Sequence, residues 1–347
     1  MKKIKIAQIG TGHDHAASNF YALTTELTDI FEVIGYAKVE SEGEIPETET
    51  WGYTYGKEIS YQSVLEMTDL DAVIIETFDL ELVKYAQIFA DKGLNVFMDK
   101  PGSESASDFE KMLSTIKNNG KIFGIGYMYR YNPAIIETLT AVKQGKIGEV
   151  YAIEAQMSCD HNAQKRNWLG AFKGGMTFFL GCHLVDLMYT FLGMPEEIIP
   201  YNNCTGMFDV TAKDYGMVLF RYKNGISFIK TTASEVGGFE RRQFVVCGSN
   251  GTVEIKPFEW EQKNFRITTT KREIYREQPN LRTNWHNKGK VHEYEPYCRY
   301  TGMLIDFANK IRLGKMADED FVREARVHRL VLASCGIDCN YKEEIKL

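Results

Sequence analysis

Short apolar runs alternate with amphipathic stretches through the N-terminal third, and this pattern restricts the possible folds more than any other feature. Ile4 to Ile9, Phe31 to Ala37, Asp71 to Thr77, Asn95 to Met98 and Ile122 to Gly126 read as strands. Tyr61 to Met67, residues 80–92 and Ser105 to Asn119 read as helices between them. The second of these helices sets Leu82, Ala86, Ile88 and Phe89 as its apolar contacts, and Gly93 and Gly120 stand where C-caps are expected. Residues 41–60 are rich in Glu, Thr and Gly and read as a loop. Strands and helices alternating at these lengths predict an α/β Rossmann-type, doubly wound parallel sheet. Such sheets bind ligands outside the carboxyl ends of their strands, so the strand ends are the residues to inspect.

The first run stops at Gly10-Thr11-Gly12-His13-Asp14-His15. A strand, a glycine turn and a helical stretch open a dinucleotide-binding unit. Gly10 makes the tight turn and Gly12 lets the backbone approach a pyrophosphate, with Thr11, His13 and Asp14 completing the candidate cofactor contacts. His15 stands where the usual pattern has its third glycine. Lys38 follows the second strand and suits a ribose 2′-phosphate, which leans NAD versus NADP slightly towards NADP. Glu40 and Glu42 are close enough to supply the acid that NAD requires, and Lys38 also reads as a solvated strand-end charge. Thr77, Phe78 and Asp79 end the third strand and are expected to line the cofactor crevice. Asp99-Lys100-Pro101 end the fourth. Pro101 fixes its own φ and biases Lys100 towards an extended conformation, aiming the lysine into the crevice. The alternative for Lys100 is a surface lysine in a strand-to-helix turn.

With 347 residues the chain exceeds one ordinary core. Residues 1–125 are expected to form the dinucleotide-binding domain and 126–347 an α+β substrate and oligomerisation domain, with C-terminal helices packing back on the first. Apolar residues make up 44% and charged residues 25%, and the net charge of -6 argues against nucleic acid or an anionic membrane as partner. A small molecule is the expected partner. No apolar run approaches the ~18 residues of a membrane span, and Met1 to Ala7 lacks the apolar core of a signal peptide. The expected location is cytoplasmic. The seven cysteines form no C-x-x-C pair; Cys335 and Cys339 read as reduced helix residues. His286 and His292 are spaced poorly for a metal, and no metal is expected.

In the second half, a strand from Gly148 to about Met157 leads to Asp160 and His161, which are candidate substrate contacts or members of a polar loop. Arg166 and Trp168 set a cation beside an aromatic face on which a sugar ring can stack, although a Trp also packs well in a core. Residues 182–192 read as a helix stopped by Gly193 and Pro195, with His183 in its first turn and Asp186 on the same face. Asp186 can hold the imidazole or a helix end. Met217 to Tyr222 and Ile226 to Thr231 flank Lys223-Asn224-Gly225, and Phe244 to Cys247 and Thr252 to Ile255 flank Ser249-Asn250-Gly251: two hairpin signals. Phe265 to Thr270 is expected to add a strand, 271–295 to be a long loop, and 298–313 and 319–337 to be helices, with Arg323 and Arg326 on a solvated face. The result is a mostly antiparallel sheet with one open face, suited to a homo-oligomer contact.

At this point the chain resembles the glucose–fructose oxidoreductase, inositol dehydrogenase and MocA family. The glycine turn at 10–12 matches the family's start, and Asp99-Lys100-Pro101 looks like its Glu-Lys-Pro signature. Gly126 through Arg130 to Pro133 is similar to its Gly-x-x-x-Arg-x-x-Pro segment. Gly174-Gly175 through His183-Leu184-Val185-Asp186 resembles its glycine-rich segment ending in His-x-x-Asp. The resemblance implies a nicotinamide-dependent oxidoreductase acting on a sugar, inositol or related polyol, with Lys100 beside the nicotinamide, His183 as acid/base, and Arg130, Arg166 and Trp168 orienting the substrate. The family also places an Asp four residues before that His, where this chain has Phe179. That departure keeps two other readings open: elimination or hydrolysis of a glycoside with retained NAD, and a non-catalytic dinucleotide-binding regulator.

Overall fold

Ile6, Ala7 and Ile9 of strand β1 (Ile4–Ile9) have no exposed surface, and all four residues of β3 (Ala72–Ile75) are buried, as expected of parallel strands covered on both faces. The structure is a computed structural model that describes residues 2–261, 266–278 and 280–347. The chain forms two compact units. The first takes Met1–Met128, Tyr300–Arg329 and Lys342–Leu347; the second takes Tyr129–Arg299 and Leu330–Tyr341.

The first unit holds a five-stranded parallel sheet in the order β2-β1-β3-β4-β5, with β2 (Phe31–Ala37), β4 (Asn95–Met98) and β5 (Phe123–Ile125). Helices α1 (Ala16–Tyr21), α2 (Tyr61–Glu66), α3 (Leu82–Asp91) and α4 (Ala106–Asn118) connect the strands. Ser105 caps α4 by accepting from the Asp108 N–H at 3.3 Å. The sheet is the doubly wound one expected. The carboxyl ends of β1, β3 and β4 release Gly10, Glu76 and Asp99 next to one another, which is what assembles the site.

The second unit opens with α5 (Pro133–Lys143), which Asn132 caps through the N–H groups of Ala134 and Ile135, with Pro133 in the first turn. Its sheet has eight strands: β6 (Val150–Ser158), β7 (Glu197–Asn203), β8 (Tyr215–Tyr222), β9 (Gly225–Thr232), β10 (Gln243–Gly248), β11 (Gly251–Ile255), β14 (Thr270–Tyr275) and β15 (Lys290–Glu293). Their order is β15-β14-β11-β10-β6-β9-β8-β7, antiparallel except for β6 with β9. β12 (Trp260–Glu261) and β13 (Ile267–Thr268) form a separate small ladder. Both hairpins stand where their turns predict.

Two expectations change here. The strand expected over 265–270 is split between β13 and the start of β14, and Phe265 itself lies outside the described residues. The loop expected over 271–295 contains β14 and β15. Lys271 occupies the sheet position opposite Ile255 and is 8% exposed, its ammonium 2.7 Å from Glu137. A lysine stem fills a core position there, so the strand lacks the apolar alternation that would announce it.

On the other face of this sheet, Ile199, Leu219, Phe228, Glu154 and Val245 lie in one cross-strand row and are not buried. Helix α6 (Ala163–Trp168) and helix α7 (Cys182–Leu192) complete the unit, α7 being entered through a π-helical turn, Thr177–Gly181. The chain then returns to the first unit in α8 (Thr301–Leu313), whose Phe307 meets Phe97 edge-on at 5.6 Å. In α9 (Asp318–Ser334) the His328 ring stacks on Phe109 at 4.1 Å. Because α9 ends at Ser334, Cys335 and Cys339 are not the helix residues expected of them; among the described residues no disulfide joins any of the seven cysteines.

Candidate active site

Gly10 leaves β1 with φ +91°, and a Cβ there would come 2.5 Å from the Thr77 nitrogen, so strand β3's end and the turn can pack only with glycine. The turn presents its N–H groups to one anion. Thr11 and Gly12 donate to Glu42 Oε1 at 2.9 and 2.8 Å, and Val39 donates to Glu42 Oε2 at 3.1 Å. A turn that grips its own chain's carboxylate has the donor set of an anion site, and this fits it to a dinucleotide pyrophosphate. Lys38 is directed elsewhere: its ammonium lies 3.5 Å from both Glu44 and Glu58. Glu44 and Glu49 line a cavity beside the turn together with Glu42 and Glu81.

Beneath the turn lies a buried polar cluster. Lys100 is fully buried, its ammonium 3.4 Å from Asp14 Oδ1. The Lys100 N–H donates to Asp99 Oδ1 at 2.7 Å, and the Lys100 carbonyl is 3.0 Å from His13 Nε2. Asn19 Nδ2 donates to Glu76 Oε1 at 2.7 Å and to Asp99 Oδ2 at 3.0 Å. His15 Nδ1 is 3.2 Å from Asp99 Oδ1. Burial pushes the Glu76 carboxyl well up, with the Asp99 charge adding to it. Burial opposes ionisation of Asp99 too, but His13, His15 and Lys100 outweigh it and hold that carboxyl below the usual range. Burial also raises Asp79, against the pull of His13 and Lys100. Thr77 is buried, and the Phe78 nitrogen faces Gly12.

Of the residues marked in the sequence, the first unit therefore brings Gly10, Thr11, Gly12, His13, Asp14, Thr77, Phe78, Asp79 and Lys100 together and leaves Lys38 in its own acid pairs. The turn at 10–15 and the strand-end acids 76 and 99 enclose one polar centre. The acids Glu42, Glu76 and Asp99, with Asn19 and His15, do most of the holding. An acid at a strand end looks the same in sequence whether it is solvated or buried; the His13-Asp14-His15 triplet was the one visible signal.

In the second unit His183 is buried and its ring meets Tyr129 edge-on at 4.9 Å. It stands in the first turn of α7, as expected, and α7 is entered through the π-helical turn; such turns are frequent at functional sites. Asp186 is claimed by Arg130, which donates to it from Nε and Nη2 at 2.9 and 2.7 Å. Tyr129 in turn donates to Glu259 at 2.6 Å, and Arg242 and Arg299 flank that acid. Their charges outweigh burial, and the Glu259 carboxyl falls to about 2. Arg166 is 2% exposed and holds Asp214 at 2.6 and 2.8 Å, with Thr205 beside it, so its guanidinium is committed to the interior. Trp168 packs edge-on to Phe172 and Phe179 at 5.0 and 5.3 Å, and the Lys165 ammonium sits 3.6 Å above its ring. Phe179 is thus part of an aromatic cluster, where the resemblance puts an acid. Asp160 bridges to Ser234, and the His161 N–H donates to the Ala233 carbonyl at 2.8 Å.

A Rossmann-type sheet with an anion-binding glycine turn, continued into a mostly antiparallel α+β unit, is the architecture of a class of dinucleotide-binding oxidoreductases. Residues 137–254 match the model of the GFO/IDH/MocA C-terminal domain. Over those residues the chain is similar to the Gfo/Idh/MocA family. Among curated relatives it is 26% identical over 203 residues to D-xylose 1-dehydrogenase (NADP(+)) 2 of Haloferax volcanii, an alignment spanning 57% of this chain and 60% of that protein. Among solved structures, a 3-ketoreductase from Actinomadura kijaniata in complex with NADP and TDP-benzene superposes with a TM-score of 0.76 at 17% identity, covering 96% of this chain and 97% of the other. Aldose-aldose oxidoreductase from Caulobacter crescentus gives 0.75 at 18%, covering 96% and 98%. These likenesses are of fold. No helix among the described residues is long and apolar enough to cross a membrane.

Proposed function

We propose that the protein is an NAD-dependent dehydrogenase that oxidises a CH–OH group of a sugar, inositol or related polyol. The observation that carries the reading is Lys100, buried at the end of β4 beneath the glycine turn that grips an anion. Gly10, Thr11, Gly12, His13 and Asp14 with Thr77, Phe78 and Asp79 are the residues that would hold the dinucleotide. When bound, that group supplies a two-electron acceptor for hydride. Lys100 donates a hydrogen bond to the reacting oxygen and stabilises negative charge there as the proton leaves. His183 takes that proton. Arg130 and Arg166, each committed to a carboxylate, position neighbouring elements, and Asp160, His161 and Trp168 contact the substrate.

The acids beside the turn favour NAD over NADP, reversing the lean that Lys38 suggests. A 2′-phosphate would add charge next to Glu42, Glu44 and Glu49, whereas a carboxylate accepts well from ribose hydroxyls. Seven cysteines with no disulfide among the described residues suit a reducing compartment, so the cytoplasm belongs to the same proposal.

The test is nicotinamide absorbance on mixing the protein with NAD or NADP and a panel of sugars and polyols, with Lys100→Met alongside. Reduction of NAD by the parent, falling on the order of 10²–10⁴-fold in the variant, is expected. Silence across the panel in protein shown to bind a dinucleotide would overturn it, and would move the reading to retained-cofactor elimination or to a regulator.

A further inference from the structure

The cluster under the glycine turn holds more acidic groups than the turn or the lysine pairs. Asp14 lies against the Lys100 ammonium, and Glu76, Asp79 and Asp99 are buried. Glu76 Oε2 and Asp79 Oδ1 are buried without a hydrogen-bond partner among the described residues. Unpaired carboxylate oxygens away from water are costly unless a cation meets them. Two imidazoles point into the same place. His13 Nδ1 lies 3.6 Å from Asp99 Oδ2 and 3.7 Å from Glu76 Oε2, and His15 Nδ1 lies 3.2 Å from Asp99 Oδ1. One ligand atom each from His13, His15 and Asp99 falls within 4.8 Å of the others.

We propose that His13 Nδ1, His15 Nδ1 and Asp99 Oδ2 are the three protein ligands of a tetrahedral site for a divalent transition-metal ion, of which Zn²⁺ is the fitting choice, with Glu76 as an acid of the outer ring. Zn²⁺ bonds of about 2.0–2.1 Å to nitrogen and oxygen give tetrahedral edges of roughly 3.3–3.4 Å, and His13 Nδ1 and His15 Nδ1 lie 3.6 and 3.3 Å from Asp99 Oδ2. Two imidazoles with a carboxylate suit zinc better than calcium or magnesium, which require cages of oxygen. The outer ring is already built. With its Nδ1 on the metal in place of the His15 N–H that it accepts at 3.2 Å, His13 carries its proton on Nε2 and donates to the Lys100 carbonyl at 3.0 Å. Asn19 holds one oxygen of Glu76 and one of Asp99 from a single amide. Asp99 Oδ1 receives the Lys100 N–H. The metal thereby sets the backbone of Lys100 from both its N–H and its carbonyl, so the site positions that lysine without touching the reacting atoms.

This inference does not rest on the dehydrogenase reading, and its test needs no nicotinamide and no substrate. Full-length protein, made without an affinity tag, is assayed for metal by mass spectrometry, then stripped with a chelator and titrated with Zn²⁺ alone and with Co²⁺ alone. About one equivalent per chain is expected, with the intense visible bands of tetrahedral Co²⁺, and a melting temperature that falls on stripping and returns with Zn²⁺. His15→Ala is expected to weaken Zn²⁺ binding at least tenfold. Glu76→Gln, which keeps size and removes only charge, is expected to weaken it about 10–100-fold and to remain folded by circular dichroism. Two results overturn the proposal. One is a stripped parent that takes up neither ion and whose melting does not respond to the chelator. The other is uptake of the same affinity in both folded variants, which places the ion at another site.

Discussion

At the scale of single residues, Lys100, Glu259 and His328 show how burial converts a charge into a commitment. Glu259 accepts from Tyr129 and is flanked by Arg242 and Arg299 in the interior of its unit. Glu259→Gln leaves two guanidinium groups without their counter-ion, and is expected to cost about 3–5 kcal/mol in urea unfolding. A loss under ~1 kcal/mol would show that water reaches those arginines. His328 offers a pH test. Burial lowers it from 6.5 to about 4, while Nε2 lies 2.7 Å from the Ser103 carbonyl. The unfolded chain takes up this proton below pH 6.5 and the folded protein resists until about 4, so stability falls as pH drops through that window and levels off beneath it. The full effect is on the order of 3 kcal/mol. Unfolding at pH 7 and at pH 4.5, compared between parent and His328→Asn, isolates it: the variant is expected to lose this part of the dependence, and identical pH slopes would refute it.

At the scale of elements, the glycine turn and the caps carry the local predictions. Gly10→Ala drives a methyl into Thr77 at a φ that side chains avoid, and is expected to abolish measurable NAD binding in a fluorescence titration. Asn132→Ala removes the α5 cap and the bond from Asn132 Nδ2 to the Phe258 carbonyl, costing roughly 1–2 kcal/mol in thermal unfolding. The elements legible in the sequence were those whose burial is written in side-chain type. β1, β3 and β4 read as apolar runs because both faces of a parallel strand are covered, and the two hairpins announced themselves through Asn-Gly turns. β14 stayed hidden because Lys271 buries a stem and Glu137 answers its charge. The site was legible to the same degree. Gly10, Gly12 and Lys100 were found because a turn and a proline constrain backbone locally. Glu76 and Asn19 were not given roles, and Glu42 was read as a candidate ribose acid rather than as the partner of the turn, because their work depends on partners 30 to 57 residues away. Arg166 read as a substrate contact because Asp214, the acid that holds it, lies 48 residues on.

At the scale of the molecule, one face of the eight-stranded sheet stands out. Ile199, Leu219 and Phe228 form an apolar row across three neighbouring strands, Glu154 of β6 separates them from Val245 of β10, and none of the five is buried. A second copy of the chain is the proposed cover, and Leu219→Arg is expected to shift a dimer or larger species to monomer in light scattering coupled to size exclusion. A parent that is monomeric at micromolar concentration would remove that proposal.

The path of the chain between its two units has a consequence for biogenesis. The unit with the parallel sheet is laid down before the other, yet it is completed by Tyr300–Arg329 and Lys342–Leu347, where Ile345 is buried and Lys117 reaches the Leu347 carbonyl at 3.2 Å. A ribosome therefore exposes five parallel strands long before the pieces that finish their packing emerge. The sheet of the other unit is fully synthesised first, so the half made earliest is the half completed last.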